Sequence, residues 1–167
     1  MAFDFNADEV FEMAEQIERN GAQFYRKIAE GSSKGDLQNL FLKFAKMEEA
    51  HERVFISMRE KLSDADRKST VFDPEGESAQ YLRALADLRV FDENAGKGFD
   101  FTEDVAEEER MKAALRAAIG LEKESIVFYE GMKGFVPERL GKDKIDGIIK
   151  EEMKHIRLLT NELVSRA

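Results

Sequence analysis

MEEAH at residues 47–51 and EEMKH at residues 151–155 contain the chain's only two histidines, His51 and His155, each three positions after a glutamate. Both pentapeptides lie inside apolar-periodic stretches. Leu37, Phe41, Phe44, Glu48, His51, Phe55, Met58 and Leu62 succeed one another at alternating spacings of three and four. That is the seam of one helix face, about 40 Å long at roughly 1.5 Å per residue. Ile145, Ile148, Glu152, His155, Leu159 and Leu163 form a second seam of the same kind. Ionisable side chains therefore occupy positions where the pattern calls for leucine.

A shift of 104 residues lays one half of the chain on the other. Glu18 falls on Glu122, Phe24-Tyr25 on Phe128-Tyr129, Glu48 on Glu152 and His51 on His155. In each half the lone glutamate precedes the Glu-x-x-His by 30 residues. In an antiparallel helical hairpin, residues equidistant from the turn lie at the same height. The midpoint of Glu18 and Glu48 is Ser33, inside GSSKG (31–35), and that of Glu122 and Glu152 is Pro137, inside GFVPERLG (134–141). Each hairpin thus levels one glutamate with one Glu-x-x-His. Glu18 lies in the apolar stripe of its helix, among Phe11, Ala14, Ile17, Gly21 and Tyr25, and Glu122 lies among Leu115, Ala118, Ile119, Ile126 and Tyr129.

Within MEEAH, Glu48 shares the face of His51 at i, i+3 while Glu49 points away. In EEMKH both Glu151 and Glu152 can share a face with His155; the repeat register selects Glu152. Burying four carboxylates costs roughly several kcal/mol each unless their charge is neutralised. Two divalent cations balance four carboxylates, with two neutral imidazoles as further ligands. Oxygen and imidazole donors suit Fe(II) or Mn(II).

The remaining chain fits this scheme. Helical periodicity prevails and only Pro74 and Pro137 interrupt it. Asn6, Glu9, Phe5 and Val10 carry the signature of a capping box and hydrophobic staple opening a helix that runs to about Glu30. A connector over 63–103 carries a short helix near Ser78 to Phe91, and the third long helix is expected to start near Thr102 or Asp104. The fold class is all-α, a four-helix bundle of two hairpins joined by a long crossover, in one domain over 1–167. KLSDADRK (61–68) and EDVAEEER (103–110) read as solvated faces and loops, and Glu15, Glu52 and Glu130 as neighbouring carboxylates.

Composition narrows the partners. With 35 acidic residues against 26 basic ones, the net charge of -9 argues against nucleic acid. No run is apolar enough to span a membrane, and the start MAFDFNADE lacks the features of a signal peptide, so a cytoplasmic protein is expected. The absence of cysteine excludes disulfides, thiolate metal sites and iron–sulfur clusters within these residues.

On these residues, including LEKESIVFY (121–129), the chain resembles the ferritin-like di-iron carboxylate proteins, and among them the rubrerythrin-like branch. The resemblance implies two irons, with manganese or a mixed pair as alternatives, held by Glu18, Glu48, His51, Glu122, Glu152 and His155. Tyr25 and Tyr129 would donate hydrogen bonds to site carboxylates. It further implies an oxidoreductase that reduces hydrogen peroxide or O2. Lacking a Cys-rich rubredoxin module, this chain needs an external electron donor such as a rubredoxin. Where rubrerythrins carry a further carboxylate, this chain has Ser125. Other readings are a ferroxidase that sequesters iron and a metal-stabilised module without turnover. A homodimer is expected, and the long connector would allow its protomers to exchange hairpins.

Overall fold

Asn6 opens the first helix as its sequence signature indicates. Its side chain accepts from the Glu9 amide at 3.0 Å, and the Glu9 carboxylate accepts from the Asn6 amide at 3.0 Å, closing the capping box. The computed structural model describes residues 6–33, 35–68, 77, 80–82, 84 and 106–167. The Phe5 staple therefore lies outside the described residues. Helix α1 spans Ala7–Glu30, α2 Asp36–Glu60, α3 Asp64–Lys68, α4 Glu107–Met132 and α5 Lys142–Ser165. All elements among the described residues are helical.

The turns follow from local chemistry. Two 3-10 turns, Lys133–Phe135 and Glu138–Leu140, take up the GFVPERLG stretch between α4 and α5. Gly141 ends it at φ 80°, a conformation that favours glycine. Helix α4 starts later than expected: Ala106 is extended at φ -55°, ψ 138°, and among the described residues no side chain caps the helix. Thr102 and Asp104 lie outside the described residues. The first turn of α4 instead carries Glu107, Glu108 and Glu109, whose charges oppose the helix dipole. Glu107 is anchored from the opposite turn by the Ser33 amide at 3.0 Å.

KLSDADRK also differs from expectation. Its second half is the helix α3, tied down by ion pairs of Arg67 with Asp8 and of Asp66 with Arg139. Asp8 and Glu15 of α1 meanwhile hold Arg59 at 3.0 and 3.2 Å, so these charges clamp one end of the bundle. In the connector, Glu77, Gln80, Tyr81, Leu82 and Ala84 are helical, as far as the expected short helix is described. Leu82 is buried, while Tyr81 is exposed and donates to the Val127 carbonyl at 3.3 Å.

Two apolar clusters show how the helices run. One gathers Val10 and Phe11 of α1, Phe55 and Met58 of α2, Phe128 and Met132 of α4, and Ile145 and Ile148 of α5. The other gathers Tyr25 and Ile28 of α1, Phe41 and Phe44 of α2, Met111 and Leu115 of α4, and Leu159 of α5. The start of α1 and the end of α4 therefore share one end of the bundle, as do the end of α2 and the start of α5. Neighbouring helices are antiparallel. The chain leaves α2 at one end and enters α4 at the other, so its connection must travel the bundle's length. With 25 residues in α2, that is about 37 Å at 1.5 Å per residue. A hairpin turn cannot cover such a distance, and the long connector follows from the topology.

Among the described residues, nothing lies within 4 Å of a Cβ built on Gly120, whereas one on Gly131 meets Tyr81 Cε1 at 2.7 Å. Gly120→Ala is expected to raise stability by about 0.5–1 kcal/mol, the ordinary gain of alanine over glycine within a helix. Gly131→Ala should lack that gain, and urea denaturation midpoints of the two variants compare them directly.

Candidate metal centre

Between the two apolar clusters all six singled-out residues converge. Helix α1 supplies Glu18, α2 Glu48 and His51, α4 Glu122, and α5 Glu152 and His155, and none is more than 5 % exposed. Gly21, one turn beyond Glu18, makes room: a Cβ there would stand 3.1 Å from Glu48 Oε2.

Their donor atoms form two overlapping groups, each within 4.8 Å. Glu18, Glu48, His51 and Glu152 form one; Glu48, Glu122, Glu152 and His155 form the other. Glu48 and Glu152 belong to both. His51 Nδ1 lies 2.9 Å from Glu152 Oε1 and 3.5 Å from Glu18 Oε2. His155 Nδ1 lies 2.8 Å from Glu152 Oε2 and 3.3 Å from both Glu48 Oε1 and Glu122 Oε1. Despite these distances, the Nδ1 atoms of both histidines, both Glu152 oxygens, Glu18 Oε2 and Glu48 Oε1 make no hydrogen bond among the described residues. Buried polar atoms are ordinarily paired. Atoms that crowd together without aiming at one another leave lone pairs free for a cation, and this donor set can hold two.

The tyrosines cross between the halves. Tyr25 Oη donates to Glu122 Oε1, and Tyr129 Oη donates to Glu18 Oε1. Each phenol of one repeat thus secures the lone glutamate of the other. Both rings are fixed by aromatic packing, Tyr25 against Phe44 at 5.3 Å between centroids and Tyr129 against Phe55 at 5.1 Å. Burial, with the nearby carboxylates, raises both phenols well above their ordinary range, so they remain donors.

The site's own groups share protons as a dry cluster of acids must. Burial and the neighbouring Glu152 and Glu122 charges raise Glu48 to about 7; burial and Glu152 raise Glu122 to about 8. Burial and Glu48 lift Glu18 well above the carboxylate range. For the imidazoles burial acts downward, but the facing carboxylates outweigh it: Glu152 and Glu18 push His51 up to about 12, and Glu122, Glu152 and Glu48 do the same for His155. Burial would raise Glu152 too, yet His155 and His51 on either side bring it down to about 2.

Glu151 is the residue that sequence reasoning set aside. It does not turn to His155 on its own helix; its Oε2 lies 2.9 Å from His51 Nε2 on α2. Nothing within either hairpin could signal this, because the contact exists only once the hairpins dock. Glu49 pairs with Arg26, Glu52 with Arg19 and Glu130 with Lys133, so these carboxylates, like Glu15, stand outside the cluster. Ser125 donates its hydroxyl to the Leu121 carbonyl of its own helix at 3.0 Å. All six converging residues come from one chain, so no exchange of hairpins is needed to complete the cluster.

Two outcomes follow. From pH 4.5 to about 8 the folded, chelator-treated protein keeps carboxyl protons that the unfolded chain has lost; above 6.5 it also keeps imidazole protons, up to about 12. Where the folded state binds more protons, stability falls as pH rises. The chelator-treated protein should melt at progressively lower temperature from pH 5 to pH 8 in thermal scans. Tyr25→Phe, which strips Glu122 of its donor, should cost about 1–3 kcal/mol in denaturant unfolding. Tyr81→Phe, at the surface, should cost about 0.5 kcal/mol or less.

Comparisons with known proteins agree with this architecture. No curated protein matches the chain at a significant level. A solved structure from Thermotoga maritima, described as a ferritin-like diiron-carboxylate protein, aligns over 100% of both chains with a TM-score of 0.69 and 20% sequence identity. At that identity the likeness establishes the fold, a ferritin-like bundle. The rubrerythrin family model matches residues 9–163. Since that match takes in both hairpins and all six converging residues, the chain belongs to the rubrerythrin family.

Proposed function

We propose that Glu18, Glu48, His51, Glu122, Glu152 and His155 bind two iron ions and that the protein reduces hydrogen peroxide, or O2, with electrons from an external donor. The observation that carries this reading is the pair of overlapping donor groups with unpaired buried atoms. Glu18 and His51 would belong to one ion, Glu122 and His155 to the other, and Glu48 and Glu152 to both. Two ferrous ions held there would supply the two electrons that the oxidant takes up.

The protein's own groups support such chemistry in three ways. Four carboxylates and two neutral imidazoles balance the charge of two divalent cations, and the apolar clusters on either side keep bulk water away. Tyr25 and Tyr129 hold Glu122 and Glu18 by one oxygen each. Reducing peroxide to two waters consumes two electrons from the donor and two protons from solvent; the protons of the imidazoles and raised carboxyls would leave only once, as the metal binds. These residues include no cysteine, so in this reading the electrons enter from outside them, with a rubredoxin as the model donor. No helix among the described residues is long and apolar enough to cross a membrane; in the proposed reading the protein works in the cytoplasm as one domain, in a homodimer.

Metal analysis should give about two ions per chain, and anaerobically iron-loaded protein should consume peroxide or O2 faster than free iron. Glu18→Ala and His51→Ala should lower that rate by more than about a hundredfold, since loss of even a supporting residue costs 10–100-fold. Consumption no faster than free iron would sink the redox reading. A closed cage in a size measurement would favour iron storage, and metal that stabilises the fold without oxidant reactivity would favour a structural role.

A further inference from the structure

The repeat makes the six donors equivalent in pairs, but their surroundings are not. An imidazole that gives its Nδ1 lone pair to a cation keeps its proton on Nε2. For His51 that proton has an acceptor, Glu151 Oε2 at 2.9 Å, a carboxylate whose side chain is 53% exposed. For His155 it has none: Nε2 is buried and without a hydrogen-bond partner among the described residues. The 104-residue shift places Met47 where His155 would need its own Glu151. The same shift pairs Phe44 with Ile148. The Phe44 ring lies against His155 with centroids 4.4 Å apart, while Ile148 lines a cleft of about 590 Å³ that reaches His51 and Glu151 between α2 and α5. One imidazole is closed over by an aromatic ring; the other has a carboxylate behind it and an open cleft beside it.

We propose that Glu151 is a positioning residue for His51 and makes the two metal positions unequal, the Glu18/His51 position binding a divalent cation more tightly than the Glu122/His155 position. The inference rests on the two-metal reading above. A carboxylate behind a ligating imidazole fixes the ring and its tautomer and strengthens it as a donor, and removing one costs roughly 10–100-fold in metal affinity. Glu151 approaches from the other hairpin, so its bond also requires that the hairpins be docked. Its exposure spares it the cost of burial that the six inner residues bear.

Anaerobic titration with Co(II), followed by calorimetry and visible absorption, tests this without turnover. The full-length protein should bind two ions in two resolved steps. Glu151→Ala should weaken the tighter step roughly 10–100-fold, change the absorption of that step and leave the other within about twofold. Glu151→Gln, which keeps an acceptor oxygen at the same reach, should retain part of the affinity. In a His51→Ala background Glu151→Ala should have no further effect, because Glu151 acts through that ring. Two steps untouched by Glu151→Ala, weakened equally by it, or weakened again in the His51→Ala background would overturn the role of Glu151 and leave the two-metal reading standing. A protein that binds no Co(II), or only one ion, would overturn the two-metal reading itself. The melting temperature of the chelator-treated variants separates a lost ligand support from a damaged fold: loss of the single His51–Glu151 bond lowers it by no more than a few degrees, with the transition still cooperative.

Discussion

Burying four carboxylates and two imidazoles in the middle of an apolar bundle is the constraint on which the rest of the structure depends. Hydrocarbon at these positions would give a more stable bundle, because desolvating an ion is costly even when it is paired. The structure meets that cost by sharing. Glu152 stays ionised between two imidazoles, Glu48, Glu122 and Glu18 are pushed towards protonation, and each lone glutamate accepts from a tyrosine. Seals of Phe, Ile, Leu and Met above and below keep the effective dielectric low and so strengthen every one of these interactions.

Each hairpin is incomplete by itself. Tyr25 reaches Glu122 and Tyr129 reaches Glu18, so the phenols bind the halves together at their most polar level. Glu48 and Glu152 belong to both donor groups, so neither group can form within one hairpin. The direction of α4 is therefore as important as its sequence. Only with α4 antiparallel to α1 does the Tyr of one repeat meet the Glu of the other, and only a connector that crosses the bundle's length gives α4 that direction.

What could be read from the sequence divides along the same line. Contacts within a hairpin follow from helical periodicity and the position of the turn, and these are written in residue spacings. The inward placement of Glu48 rather than Glu49, the levelling of Glu18 with Glu48 and the capping box of Asn6 and Glu9 were all legible for that reason. Glu152 over Glu151 needed the repeat as well. Contacts between hairpins depend on how two preformed units dock, and no spacing along the chain encodes that. Hence the crossing of the tyrosines, the sharing of Glu48 and Glu152 and the reach of Glu151 to His51 emerged only from the structure. The start of α4 and the helix α3 were missed for another cause. What the described residues show at both places is charge rather than apolar pattern: the glutamates of the first turn of α4 and the ion pairs of Asp66 and Arg67.

The repeat also shows where symmetry is obligatory and where it is not. Charge balance is a property of the whole cluster, so a change in one of the six donors must be answered by another, and the six remain paired by the 104-residue shift. One step outward that restraint lapses. Gly21 matches Ser125, Met47 matches Glu151 and Phe44 matches Ile148. Gly21 leaves space for Glu48, whereas Ser125 turns its hydroxyl back to Leu121. Of these outer residues only Glu151 is ionisable, and it approaches His51 from the exposed side rather than from among the six. The outer residues set which donor is held rigid, which is covered and which faces a cleft. Equivalent positions thus sit inside unequal surroundings, and it is this outer shell that would make two bound ions behave differently.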